Sequence, residues 1–308
     1  MTNEPTILDW NWEITRRCNL QCLHCIIGDN TQYELTTKES LDAIFSIVRL
    51  GGKTLRITGG EPLVRNDLIM VLKEASSLGL RLELITNGTL LNTFLLGSVC
   101  DYISRIAISI DGNQKLHNHI RGAGTYQKSI TAIKNIIDCG IELSVFITIN
   151  SINENCIAAL IEELIALGVS SFHINEINMD GRAIYNKYLT PNMMEPRKRA
   201  DVIFSQLQSI IDVGVVSFNS SCSITPNSVY MNSSGVIYPC SELAFRLPSK
   251  NIANILEGEV REKFHRFYLD KLDKTEEQCP YSVFSIPGIS IFLNEPKECP
   301  HIRRNSHE

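Results

Sequence analysis

The sequence predicts an α/β fold with a parallel sheet, followed by a smaller cysteine-bearing unit. Two observations carry this. Short β-branched runs alternate with amphipathic stretches from the start of the chain, and past Asp180 that rhythm gives way to a turn-rich region in which cysteines recur.

Taken in order, 10–16, 54–57, 80–85, 105–110, 143–149 and 171–177 read as strands, each rich in Val, Ile, Leu or Thr. Helical patterns fall between them at 38–50, 66–78, 89–100, 126–139 and 154–167, several closed by a glycine such as Gly51, Gly79, Gly140 or Gly168. Strand, helix and strand in succession imply crossover connections and hence parallel pairing. In such sheets ligands gather at the carboxyl ends of the strands. The polar motifs fall there: a cysteine triplet after the first strand, Gly59-Gly60-Glu61-Pro62 after the second, Thr86-Asn87-Gly88 after the third, and Ser109-Ile110-Asp111-Gly112 at the end of the fourth.

Composition narrows the function classes. With 308 residues, 44% of them hydrophobic, the chain has material for one large core or two modest ones. The net charge is −5 and the Lys and Arg residues form no stripe, so no nucleic-acid partner is expected. The most apolar helical stretch, 157–169, is interrupted by Glu162 and Glu163, so no membrane span is expected, and residues 1–9 do not form a secretory signal. A cytoplasmic location follows, and there ten cysteines point to metal or catalysis over disulfides. Cys100, Cys139 and Cys156 lie on helical stretches and read as packing residues.

Cys18-x3-Cys22-x2-Cys25 supplies three thiolates from one loop. A four-iron cluster on three cysteines keeps one iron open, and an open position marks a site that binds a substrate or cofactor. The competing reading is a zinc knuckle or an electron-transfer cluster, which would recruit a fourth ligand such as His24 or a distant cysteine. Gly59-Gly60-Glu61-Pro62 favours the open cluster: two glycines permit close backbone approach to a ligand, Glu61 is an acceptor for an ammonium, and Pro62 stiffens the loop.

Together, the triplet and Gly59-Gly60-Glu61-Pro62 resemble the radical S-adenosylmethionine (SAM) superfamily. The likeness runs through most of the first 180 residues, including Thr86-Asn87-Gly88, Ser109-Ile110-Asp111-Gly112 and His117-x3-Arg121-Gly122. It implies a partial (β/α)6 barrel and a [4Fe–4S] cluster on Cys18, Cys22 and Cys25. The amine and carboxylate of SAM would chelate the open iron, and reductive cleavage would give a 5′-deoxyadenosyl radical. It also implies that Gly59, Gly60 and Glu61 hold the methionyl amine and that Ser109 and Arg121 contact SAM. The plainer readings are a capping hydroxyl for Ser109 and a surface arginine for Arg121. Asn87 is either a cofactor contact or a turn residue beside Gly88. His24 stands where many members carry an aromatic, and His117 and His119 read as loop histidines.

A basic helix is expected at 196–213. Beyond it, Cys222-x12-Gly235-x4-Cys240 with Cys279 and Cys299 resembles the SPASM and Twitch extensions of this superfamily. Ser234-Gly235 would turn a hairpin that brings Cys240 back toward Cys222. The closely spaced pairs of a full SPASM set are missing, so the resemblance favours a Twitch-like unit with a second, auxiliary [4Fe–4S] cluster. Cys240 is then an auxiliary ligand or a free thiol that donates a hydrogen atom. The chain divides on this reading into a barrel with connecting helix, 1–215, and a cluster-binding unit, 216–308.

Relatives with such extensions act on peptides and natural-product precursors, by epimerisation, dehydrogenation, cross-linking or decarboxylation. The resemblance thus implies a peptide or small-molecule substrate and a low-potential flavodoxin or ferredoxin as reductant. With the barrel starting near residue 8, no N-terminal leader-binding domain is expected. A second enzymatic reading starts from residues 55–65, which are similar to the molybdenum-cofactor enzyme that cyclises GTP; Arg17 and Arg65 match its nucleotide-binding positions and are candidate substrate contacts. A third class, a non-catalytic electron-transfer or scaffold protein, has no use for an amine-binding loop.

Overall fold

The computed structural model describes residues 7–28, 32–191, 196–207, 215–219, 227–246, 248–249, 251–272, 283–286 and 289–292. Its centre is a run of parallel strands in sequence order, β1 (Asp9–Thr15), β2 (Thr54–Gly59), β3 (Arg81–Thr86), β4 (Arg105–Ser109), β5 (Glu142–Ile149) and β6 (Ser171–Glu176). All six predicted strands are present, and the sheet forms a partial barrel. The helices α1 (Thr37–Arg49) and α5 (Thr125–Asp138) lie one residue before the predicted stretches, and α2 (Leu68–Ser77), α3 (Thr93–Val99) and α6 (Ile157–Ala166) lie within theirs with shorter ends.

Side-chain alternation explains the layering. Trp10, Trp12 and Ile14 of β1 and Leu55 and Ile57 of β2 are buried in one core with Ala43, Ile44 and Ile47 of α1. Those α1 positions repeat at helical spacing, so one stripe faces the sheet. Thr36 caps α1 by accepting from Glu39 N–H, and Glu39 returns a bond to Thr36 N–H, a capping box that stabilises the start by about 1 kcal/mol. The alternate strand positions carry polar groups. Arg56 bridges Asn11 and Glu83 across three strands, and Arg105 pairs with Glu142. Further along the strands Ser109, Phe146 and His173 are register neighbours, all half-buried, with the Phe146 and His173 rings 4.7 Å apart. The helix-free face is therefore a polar lumen with solvent-accessible side chains.

Three features differ from expectation. α4 (Gln114–Arg121) lies where no helix was expected, with His117 and Ile120 buried, so His117 is a helical core residue and not a loop histidine. The basic helix, α7 (Pro196–Leu207), is described only to Leu207; positions 208–213 lie outside the described residues. The expected division at 215/216 falls at the start of a strand. It cuts into β7 (Val215–Asn219), which pairs parallel with β6, while β8 (Ser228–Met231) pairs parallel with β1 at the other edge. With β9 (Val236–Tyr238), β10 (Ala253–Asn254), β11 (Val283–Ile286) and β12 (Ile289–Phe292), one sheet runs β10-β9-β8-β1-β2-β3-β4-β5-β6-β7-β12-β11. Val229, Met231, Ile237 and Phe264 join the barrel core, because a strand edge left bare at β1 or β6 is covered by the later chain. The remaining described helices are α8 (Ser241–Arg246) and α9 (Val260–Leu272); among the described residues no helix is long and apolar enough to cross a membrane.

Candidate cluster and cofactor site

The cysteine loop leaves β1 without regular structure and is held by contacts far away in sequence. Leu23 N–H donates to the Ile120 carbonyl (2.9 Å), Arg182 N–H to the Cys25 carbonyl (2.8 Å), and the Asn186 amide to the Leu23 carbonyl (3.0 Å). Cys18 is exposed, Cys25 intermediate and Cys22 buried. Leu20 N–H points at Cys18 Sγ at 3.4 Å, a donor placed for a thiolate. Burial pushes the Cys22 thiol up to about 11 and also raises Cys18, and the nearby Cys25 adds to the cost of ionising both. These thiols are protonated at neutral pH until a metal displaces the protons, which makes assembly of a metal centre proton-coupled.

Gly59-Gly60-Glu61 lies directly against this loop. Gly60 N–H donates to the Thr15 carbonyl (2.8 Å) and Glu61 N–H to the Arg17 carbonyl (2.9 Å). A Cβ on Gly60 would stand 2.3 Å from the Arg17 carbonyl oxygen, and one on Gly59 would stand 2.3 Å from that of Thr15. The glycine pair thus serves contact between two backbones, where the sequence suggested room for a ligand; it fixes the cysteine loop against β2. Glu61 is fully buried: Oε1 accepts from Thr86 Oγ1 (2.7 Å) and Leu63 N–H (3.1 Å), and Oε2 from Asn87 N–H (2.8 Å). Burial outweighs these donors and raises its pKa, so a cation arriving beside it would favour the charged form. The Asn87 side chain bonds Asn19 (2.9 Å) and reaches to 4.0 Å from Cys18 Sγ, placing it at the cluster loop and also within its own turn, where it accepts from Thr89.

Beneath the loop lies a hub that sequence inspection did not single out. Asp111 is fully buried; Oδ2 accepts from His24 Nε2 (2.9 Å) and from Arg121 Nε, and Oδ1 from Thr148 N–H (2.9 Å). Burial alone would raise the Asp111 pKa, but the Arg121 guanidinium and His24 hold it well below the usual carboxylate range. Arg121 is raised in turn by Asp111 against its own burial. Arg121 is therefore no surface arginine. Its outer nitrogens make no bond among the described residues, and it ends α4 close enough to Cys22 to favour its thiolate.

His117 Nδ1 accepts from Asp111 N–H at 3.3 Å while its Nε2 is buried without a partner among the described residues. Burial lowers its pKa to about 4. An unfolded histidine titrates near 6.5. Between those values the unfolded chain binds more protons, so this group's contribution falls as the pH falls. From pH 7 to pH 5 the loss should be about 2 kcal/mol, and urea titrations of His117→Gln should show that much less acid sensitivity than the wild type.

The other predicted residues disperse. Ser109 is half-buried at the end of β4 with no side-chain bond among the described residues. Arg17 is exposed and pairs with Glu34 (3.2 Å). Arg65 is buried and donates to Asp67 (2.9 and 2.7 Å), the Ile14 carbonyl (2.9 Å) and Ser40 of α1 (3.1 Å). Cys240 is buried just after the β8–β9 hairpin; Cys222, Cys279 and Cys299 lie outside the described residues. None of the three cysteines read as packing residues is buried: Cys139 is exposed, and Cys100 and Cys156 are intermediate.

The donor set fits a cluster better than a single ion. Among the described residues no three His, Cys, Asp or Glu groups close round one metal. Three thiols spread along one loop, one of them open to solvent and with a backbone donor aimed at its sulfur, suit a larger body with one uncapped corner. An open parallel barrel with such a triplet at its carboxyl rim is the architecture of a cluster-dependent radical enzyme. The Radical SAM superfamily profile matches residues 12–174, and the chain belongs to that superfamily. Membership implies a [4Fe–4S] cluster and SAM.

Among similar proteins, the AdoMet-dependent heme synthase of Methanosarcina barkeri is 30% identical over 197 residues, 62% of this chain and 56% of that protein. The mycofactocin maturase MftC of Mycolicibacterium smegmatis is 29% identical over 151 residues, 46% of this chain and 38% of its own. In fold the chain is similar to Streptococcus suis SuiB bound to S-adenosylmethionine, with a TM-score of 0.69 at 14% identity over 85% of this chain and 66% of that one; SuiB is also solved with its precursor peptide SuiA. The chain spans about half the length of the curated relatives it matches.

Proposed function

We propose that this chain cleaves SAM reductively at the Cys18, Cys22 and Cys25 site and abstracts a hydrogen atom from a peptide or natural-product precursor. The observation that carries this is the thiol triplet at the carboxyl rim, where among the described residues no three His, Cys, Asp or Glu groups close round a single metal ion. Held by Cys18, Cys22 and Cys25, the cluster would supply one electron to the sulfonium of SAM, whose S–C5′ bond would break to give methionine and the 5′-deoxyadenosyl radical that takes the substrate hydrogen.

The chain's own residues orient that chemistry. The Glu61 carboxylate, already ordered by Thr86, Leu63 and Asn87, is the acceptor for the methionyl ammonium. The outer nitrogens of Arg121 and the Ser109 hydroxyl receive the carboxylate and ribose side of SAM. The lumen row of Phe146 and His173 faces the substrate; burial lowers His173 to about 4, so it is neutral at physiological pH and contacts substrate as a neutral ring. Cys240, with Cys222, Cys279 and Cys299, holds a Twitch-like auxiliary cluster, and a low-potential flavodoxin or ferredoxin supplies electrons. A maturase among the relatives and the precursor peptide seen on SuiB support a peptide substrate. A tetrapyrrole is the second reading, favoured by the relative named a heme synthase. The GTP-cyclising alternative loses Arg65, which is committed to Asp67.

The test is anaerobic incubation of reconstituted protein with dithionite and SAM. Release of 5′-deoxyadenosine is expected; none from a protein carrying its iron would favour the electron-transfer or scaffold class. About eight iron per chain would support two clusters, and about four would remove the auxiliary one. Supplying precursor peptides and tetrapyrroles separately, and measuring which gains a mass change with SAM consumption, decides the substrate class.

A further inference from the structure

The turn after β6, Gly181–Tyr185, packs on the cysteine loop. Gly181 takes φ +58°, and a Cβ there would stand 2.3 Å from the Ile26 carbonyl oxygen and 2.4 Å from that of Cys25, so only glycine permits the approach. The next residue uses that closeness twice. Arg182 N–H donates to the Cys25 carbonyl (2.8 Å) and Arg182 Nε to the Cys22 carbonyl (3.1 Å), across 160 residues of sequence. Asn186 completes the clamp on the Leu23 carbonyl (3.0 Å). On this side two of the three candidate ligand residues are thus held through their carbonyls by one arginine.

We propose that Arg182 is a positioning residue for the cluster: it locks the backbone of the cysteine loop and sets a permanent positive charge beside the thiolates. The inference rests on the reading that Cys18, Cys22 and Cys25 carry the cluster. Cluster potentials follow local charge and hydrogen bonding, and a cation favours the reduced, more negative state. The guanidinium lies against the loop, with its Nε 3.1 Å from the Cys22 carbonyl. A planar guanidinium also holds a carbonyl in a fixed direction, which a lysine ammonium does not.

The experiment compares anaerobically reconstituted full chain with Arg182→Lys, Arg182→Met and Cys18→Ala. Iron and sulfide per chain, the reduced-to-oxidised ratio at one fixed solution potential, and the rate of iron loss to a chelator are read for each. The electron paramagnetic resonance signal that Cys18→Ala removes identifies the cluster in question. Arg182→Met should lower that signal's reduced-to-oxidised ratio by about tenfold and speed iron loss by a similar factor. Arg182→Lys should restore the ratio but not the slow iron loss. Wild-type behaviour of Arg182→Met in both measurements would overturn the inference, as would Arg182→Lys losing iron no faster than the wild type. If Cys18→Ala left every cluster signal intact, the reading of the triplet itself would fall, a different result from either.

Discussion

Cys18→Ala should reduce 5′-deoxyadenosine release to the background of the buffer, a loss of about a thousandfold or more, although the fold survives. Cys18 is the exposed member of the triplet, its sulfur faced by Leu20 N–H and approached by the Asn87 amide, and no other described cysteine lies on that loop besides Cys22 and Cys25. Two thiols cannot anchor a cluster that needs three. Removal of an exposed thiol costs little packing, so circular dichroism and thermal melting of the metal-free protein should match the wild type. Cys139→Ala, at the exposed end of α5, is the matched control and should retain full release. Full release from Cys18→Ala would move the chemistry away from this loop.

Asp111→Ala should destabilise the metal-free protein by about 3–5 kcal/mol, the range for breaking a buried ion pair by removing one partner. The substitution leaves Arg121 as a buried charge without its counter-ion, frees His24, and orphans the Thr148 N–H. A comparable surface pair such as Lys263 with Glu257 is worth far less, because water screens it. Asp111 also sets the acid limit of the fold. Its folded pKa is depressed below the unfolded value of about 3.9, so its contribution is complete above that value and is lost as the pH falls below it. Urea titrations at pH 7 read the first effect, and a loss under about 1 kcal/mol would mean that the hub is not holding the rim together.

The strands were legible because each is a compact β-branched or apolar run, and the rim motifs were legible because loops after parallel strands carry function. α4 escaped notice for a physical reason: its buried face includes His117, and the segment from Gln114 to Arg121 is otherwise mostly polar, so apolar periodicity is weak. The Arg182 clamp and the His24 and Thr148 arms of the Asp111 hub were invisible because these partners lie far off in the chain and come together only in the fold. The partners of Arg65 were equally hidden, since its place next to Gly59-Gly60-Glu61-Pro62 says nothing of the bonds to the Ile14 carbonyl and Ser40. The pairing of β8 with β1 could not be read from short runs separated by long connections.

The two sides of the barrel strands do unequal jobs. Trp12, Ile57, Leu84, Ile108, Ile147 and Ile174 secure the helices, while Ser109, Phe146 and His173 look the other way into an accessible lumen. Odd and even positions along the same strand are consequently free to change at different rates. Drift on the concave side alters which molecule the cavity admits and leaves the scaffold intact, so one architecture can be retuned from cargo to cargo by a handful of substitutions.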